Sequence, residues 1–245
     1  MLLFITSTFE HLLNQHQLNT FAKVWALQAD WFEPPNHKRN GWSGVCKLVL
    51  NEEAVFLKRQ HHHARRTWLK PIQGESTLRR EFQILQHLQK NKVSAPELIM
   101  FGEQINSAKI DAVLMMKALS GYESFEDYCK TQPINQALII SIGQAISRLH
   151  QAGVQHRSLY PKHIFVKKTA ENIEIAMIDF EKSRFTALPR IRGISDICTL
   201  FKRTSDMAGF DQLTFFKAYY GLAIDNQPLN FRYRVLWFIM QKSIR

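Results

Sequence analysis

The chain has 245 residues, 45% hydrophobic and 22% charged, which is enough for one large core or one two-lobed unit and ordinary for a globular protein. Its 32 Lys and Arg against 21 Asp and Glu leave a net charge of +11, which favours an anionic partner such as a nucleotide, an anionic lipid surface or a nucleic acid. Three scattered cysteines argue against a disulfide framework, and no run of about 18 apolar residues suggests a spanning helix; with no signal-peptide pattern at Met1–Leu13, a cytoplasmic chain that can touch a membrane surface is expected.

Residues 1–37 read as an N-terminal extension of mixed polarity. Phe21, Val24, Trp25, Leu27 and Trp31 can pack on the domain beyond them, and Glu33-Pro34-Pro35-Asn36 stops any helix. Asn40-Gly41-Trp42-Ser43-Gly44 reads as a turn between strands. Its glycines would let the backbone approach a phosphate, or simply serve a hairpin turn. After a turn at Asn51-Glu52-Glu53, Val55-Phe56-Leu57-Lys58 reads as a strand ending in a lysine. His61-His62-His63 precedes Arg65 and Arg66. Adjacent residues on a strand point to alternate faces, so a solvated basic loop is expected there rather than a metal site.

The spacing of Leu78, Phe82, Leu85 and Leu88 predicts a helix over 76–89, with Ser76 as its cap and Glu81 at the edge of the apolar face. Ala112 to Lys117 reads as a buried strand leading into Ala118-Leu119-Ser120-Gly121. A helix capped by Ser124 comes next, then an amphipathic helix over 136–150, stopped by Gly153. Asp196 is read as an acid near a helix start. Residues 215–222 and 232–239 are expected to be helical.

The stretch from Leu149 to Glu181 organises the rest. It reads as a helix end, a polar loop from His156-Arg157 to His163, a strand at 164–166, a turn, and a second strand entering Asp179-Phe180-Glu181. This order is similar to the active-site hairpin of protein kinases, in which H-R-D-x-x-x-x-N precedes D-F-G. Ser158 stands at the usual aspartate and His163 at the usual asparagine. With Lys58, Glu81 and the hinge-like segment in kinase order, residues 38–205 resemble the lipopolysaccharide kinase family of Kdo/WaaP type. Arg157-x-x-Tyr160-x-x-His163, Glu181 and the segment Leu159–His163 look most like its InaA branch.

The resemblance implies an α+β, two-lobed protein-kinase-like fold. A small antiparallel β-sheet N-lobe with one long helix would occupy 38–117, and a mostly helical, shortened C-lobe 118–245. It implies an ATP- and Mg²⁺-dependent kinase acting on a sugar hydroxyl of the lipopolysaccharide core or a related anionic glycolipid. Contact with the cytoplasmic face of the inner membrane would follow, and no nucleic acid is expected. Gly41, Ser43, Gly44, Lys58 aligned by Glu81, and Met116 and Ala118 beside the adenine would form the nucleotide site. Asp179 would hold Mg²⁺, His163 would support a metal or a phosphate, and His156, Ser158, His163 and Asp179 would line the catalytic loop, whose backbone Asp196 would hold from beneath unless it is an ordinary helix cap. Because serine is a poor base near neutrality, a pseudokinase that binds a nucleotide or a partner is the alternative.

Overall fold

The computed structural model describes residues 1–38, 41–67, 70–106, 109–170, 172–225 and 227–244. The chain divides into two compact units: Met1–Gln86 with Pro96–Ser120, and His87–Ala95 with Gly121–Arg245.

The first unit is built on a six-stranded antiparallel sheet. Its strands are β1 (Leu2–Ile5), β2 (Trp31–Lys38), β3 (Gly41–Leu50), β4 (Glu53–His61), β7 (Leu98–Asn106) and β8 (Lys109–Lys117), in the order β1-β7-β8-β4-β3-β2. A separate hairpin pairs β5 (Ala64–Thr67) with β6 (Lys70–Ser76). Asn51 and Glu52 both take positive φ, 47° and 68°, as a tight two-residue hairpin between β3 and β4 requires. The Pro34-Pro35 pair is tolerated because β2 is an edge strand, and its register to β3 shifts around it.

Residues 1–37 are not an appendage. β1 pairs along β7, and α1 (Glu10–Gln15) and α2 (Phe21–Ala26) send Phe9, Leu13, Phe21 and Val24 into one core with Leu57, Met100, Val113 and Met115. Strict alternation along β1 is too short to be read from sequence. Its partner strand, nearly a hundred residues away, decides it.

Helix α3 (Thr77–Lys90) buries Leu78, Phe82, Leu85 and Leu88, as the spacing predicts. Its first turn is tied down three times: Ser76 Oγ accepts from Arg79 N–H (3.1 Å), Ser76 N–H donates to Glu103 (3.0 Å), and Gln60 Oε1 accepts from Leu78 N–H (3.4 Å). These bonds satisfy donors that a helix start leaves open and set the height at which Glu81 meets the sheet.

The second unit is mostly helical. It holds β9 (Glu123–Ser124), α4 (Phe125–Thr131), α5 (Gln136–Gln151), β10 (Val154–Gln155), β11 (Ile164–Lys168), β12 (Ile173–Met177), β13 (Arg184–Phe185), α6 (Pro189–Thr204), α7 (Gln212–Tyr220) and α8 (Phe231–Ile244). Ser124 and Asn135 cap α4 and α5 through their side chains. Gly153 at φ 76° turns the chain out of α5. The buried face of α5 packs on α7 and β12, with Ile142, Ile146 and Leu149 at its centre. Helix α6 begins at Pro189, about two turns before the start expected at Asp196, so that residue sits mid-helix. No helix among the described residues is long and apolar enough to cross a membrane.

Candidate functional site

In the first unit, Lys58 lies inside β4 rather than at its end, because the strand continues to His61. Its Nζ donates to both carboxylate oxygens of Glu81, at 2.7 and 2.9 Å. Glu81 is 1% exposed and Lys58 17%. A carboxylate this deeply buried is tolerated only when paired. The pair therefore joins strand to helix as the sequence order anticipates.

Gly41, Ser43 and Gly44 lie at the start of β3, with Gly41 paired to Lys38 of β2 where the two strands meet. A Cβ at Gly41 would sit 2.4 Å from the His61 carbonyl oxygen, and one at Gly44 would sit 2.4 Å from the Trp31 ring. These glycines admit close neighbours within the sheet, and Ser43 Oγ is bonded by Gln60 (3.2 Å). The turn residue Asn40 lies outside the described residues. Ala118 N–H donates to the Ala54 carbonyl (2.8 Å) and its own carbonyl accepts from Ser120 N–H (3.0 Å), while Met116 is buried. Both groups of Ala118 extend the β4–β8 ladder or close a turn. His61 Nδ1 is 2.6 Å from Asp111, and the described residues contain no group of three or more potential metal-binding side chains.

In the second unit the loop 156–163 hangs from Asp196. One carboxylate oxygen accepts from His156 N–H (2.7 Å) and the other from Arg157 N–H (2.8 Å). His150 Nε2–H donates to the same carboxylate (3.1 Å), and its Nδ1 meets the Tyr219 hydroxyl (2.7 Å). Gly193, one turn before Asp196, is obligatory here: a Cβ would lie 2.4 Å from His150 Nδ1. These bonds hold Arg157 at φ 66°, a left-handed conformation that costs a non-glycine residue about 1–2 kcal/mol.

His156 is fully buried. Its Nε2–H donates to the Ile178 carbonyl (3.0 Å), and its own carbonyl accepts from Ser183 Oγ (3.0 Å). Burial, only partly opposed by the Asp196 charge, pushes its imidazole down to about 4. Its Nδ1 and the Ser158 Oγ are both enclosed and find no hydrogen-bond partner among the described residues. Neither His156 nor Ser158, both candidates for the catalytic loop, opens its side chain to solvent. His156 holds the peptide that precedes Asp179.

Asp179 takes φ 65°, ψ 62°, the second left-handed non-glycine residue of the site, and its side chain is 36% exposed. Its Oδ2 is 3.4 Å from His163 Nε2. His163 Nδ1 faces the Ser158 carbonyl at 2.8 Å and so carries its proton there. That leaves Nε2 to meet the carboxylate either as a second N–H or across a shared cation. Phe180, directly after Asp179, is buried against His156 with ring centroids 5.0 Å apart.

A divalent cation fits Asp179 in part. Mg²⁺ takes one or two carboxylates and completes its shell with phosphate and water, and Asp179 supplies an accessible oxygen. His163 supplies a nitrogen, the poorer donor for a hard ion. His150, Gly193 and Tyr219 were not singled out from sequence. The signal that could have found them was Gly193 itself, a glycine inside the otherwise periodic run Ile194, Ile197, Leu200, Phe201.

The fold is that of a kinase. A solved structure, WaaP in complex with acyl carrier protein, matches 99% of this chain and 98% of its own with a TM-score of 0.72 at 19% identity. The sequence comparison is more specific: residues 22–219 match the model of the lipopolysaccharide kinase (Kdo/WaaP) family, so the chain belongs to that family of phosphotransferases. Protein InaA of Escherichia coli K12 is 32% identical over 172 residues, 67% of this chain and 78% of InaA. The lipopolysaccharide core heptose(I) kinase WaaP of the same strain is 23% identical over 228 residues, 84% of this chain and 83% of WaaP.

Proposed function

We propose that this protein transfers the γ-phosphate of ATP, with Mg²⁺, to a sugar hydroxyl of the lipopolysaccharide core or a related glycolipid. The observation that carries the reading is the buried Lys58–Glu81 pair, at 2.7 and 2.9 Å. A carboxylate removed from water serves stability poorly, but it holds a lysine in one orientation for an anionic ligand. The acceptor class follows the named activity of WaaP, a kinase of a core heptose. The +11 charge suits a phosphorylated lipid.

In this reading Lys58 orients the α- and β-phosphates and Glu81 fixes Lys58. Asp179 would hold the Mg²⁺, which neutralises charge on the transferring phosphate. His163 steers the Asp179 carboxylate, and His156 and Asp196 hold the loop beneath it. Ser158 takes no part in proton transfer because it is buried. Phosphoryl transfer depends chiefly on position and charge, so the missing base lowers the rate by about 10²–10⁴ without removing the chemistry.

The enclosed Ser158 hydroxyl also favours a second reading, a pseudokinase that binds nucleotide and does not transfer it. Thermal stability with ATP, with and without Mg²⁺, separates these when combined with a transfer assay on core acceptors. A metal-dependent rise lost in Asp179→Asn, together with labelled core sugar, supports the kinase. The rise without label supports a nucleotide-binding pseudokinase, and no rise with any nucleotide sinks the kinase and leaves a pseudokinase that binds a partner.

A further inference from the structure

Helix α8 carries apolar residues on two faces, and only one of them is used by the fold. Tyr233, Trp237 and Met240 face inward. Trp237 packs on Phe201 and Phe216 with ring centroids 6.2 and 5.2 Å apart, Tyr233 on Tyr220 at 5.3 Å, and Met240 is fully buried. On the opposite side Phe231, Val235, Phe238 and Ile239 form a stripe spaced by four, three and one residues, open to solvent. Phe231 is 77% and Phe238 58% exposed, far more than isolated surface phenylalanines need to be.

The polar residues of this helix are arranged around that stripe. At about 100° per residue, Arg232 falls on one flank, Arg234 on the other, and Lys242 lies one turn beyond Phe238 on the stripe itself. Lys242 Nζ is 4.7 Å from the centre of the Phe238 ring, so its stem runs over the apolar surface with the ammonium at the margin. The helix contains no acidic residue. An outward apolar stripe with cations on both edges and no anion is the chemistry of a helix lying in the headgroup region of an anionic bilayer.

We infer that the outer face of α8 docks this protein on an anionic lipid surface, with Phe231, Val235, Phe238 and Ile239 entering the interface and Arg232, Arg234 and Lys242 meeting lipid phosphates. The inference deepens and rests on the glycolipid-kinase reading, because an acceptor held in a bilayer needs an enzyme held beside it.

The test is flotation of the full chain with phosphatidylcholine vesicles, with and without phosphatidylglycerol, for wild type, Phe231→Ser/Phe238→Ser and Arg232→Gln/Arg234→Gln/Lys242→Gln. Wild type is expected to float with the anionic vesicles and to be released by salt. Removing two aromatic contacts should weaken partition about tenfold or more, and so should removing three cationic side chains. The substituted positions are exposed, and unchanged melting curves check that both variants fold. Wild type that ignores anionic vesicles, or a double serine variant that floats like wild type, overturns the proposal. So does a wild-type dimer, or a complex with an acidic protein, that the serine pair dissolves while vesicles never bind.

Nucleotide-dependent stabilisation and transfer to a deacylated, water-soluble core acceptor are read on the same variants. Docking predicts that both are retained while transfer to acceptor in vesicles falls. Flotation with no transfer to any acceptor rejects the kinase reading and leaves the docking standing.

Discussion

Two buried acids, Glu81 in the first unit and Asp196 in the second, are each 1% exposed but neutralised in opposite ways. Asp196 is saturated by fixed donors, two backbone N–H groups of the loop and one imidazole N–H. Glu81 is met by the ammonium of one long, partly exposed lysine. The first arrangement is architecture, because its donors cannot leave without moving the loop. The second is poised, because a lysine on a flexible stem can answer to an anionic ligand while keeping its anchor. Asp196 is held chiefly by backbone donors of one loop, Glu81 by a side chain from a neighbouring strand.

The largest effect expected is at Asp196. Asp196→Ala leaves two backbone donors and His150 unpaired in the interior and should cost about 3–5 kcal/mol in urea unfolding. A loss under about 1 kcal/mol would show the loop held by other means. Next is the pH dependence of His156. Its pKa in the folded protein, about 4, is below the ordinary 6.5, so the unfolded chain binds the extra proton. Its contribution is complete above pH 6.5 and is lost as the pH falls toward 4, by on the order of 3 kcal/mol. His156→Phe should flatten that window of the stability curve, and an unchanged slope would reject the assignment.

Lys58→Met should abolish the stabilisation by Mg²⁺-ATP, about 2.7 kcal/mol at a hundredfold excess over the dissociation constant, as read by thermal shift. If the shift persists, Lys58 belongs with the architectural class. Gly193→Ala drives a methyl into the His150 ring and should cost about 1–3 kcal/mol. Pairing it with His150→Ala should recover part of that loss if the ring is the obstacle. The smallest effect is Ser158→Ala, within about 0.5 kcal/mol, because an enclosed hydroxyl without a partner gains little from being there. A large loss of activity at unchanged stability would restore Ser158 to the catalytic set.

The same contrast explains what the sequence made legible. The Lys58–Glu81 pair and the hairpin from His156 to Asp179 could be read because residue order and local period encode them. The caps Ser76 and Ser124 and the stop of α5 at Gly153 were equally local. The close neighbours of Gly41 and Gly44 were not legible, because a glycine that admits a phosphate and one that admits a neighbouring Trp31 ring look alike in one dimension. The bond of Ala118 to Ala54, across the sheet, is likewise not written in local sequence. The hold of Asp196 on the loop backbone follows from the kinase-like order, but the role of Gly193 needed His150, which α5 brings to Asp196 from 46 residues away. Burial of His156 and Ser158 is a property of packing and has no motif.

The pairing of β1 with β7 has a consequence for the order of assembly. Thr6, just past β1, bonds to Leu98 across 92 residues of chain. During synthesis Phe9, Leu13, Phe21 and Val24 emerge with no core to enter until β7 and β8 have been made. The sheet therefore cannot close from its own beginning. Residues 2–24 find these neighbours only after Leu98–Lys117 have been made, and the nascent chain carries their apolar side chains unpaired through the interval when Lys58 and the helix of Glu81 are already present.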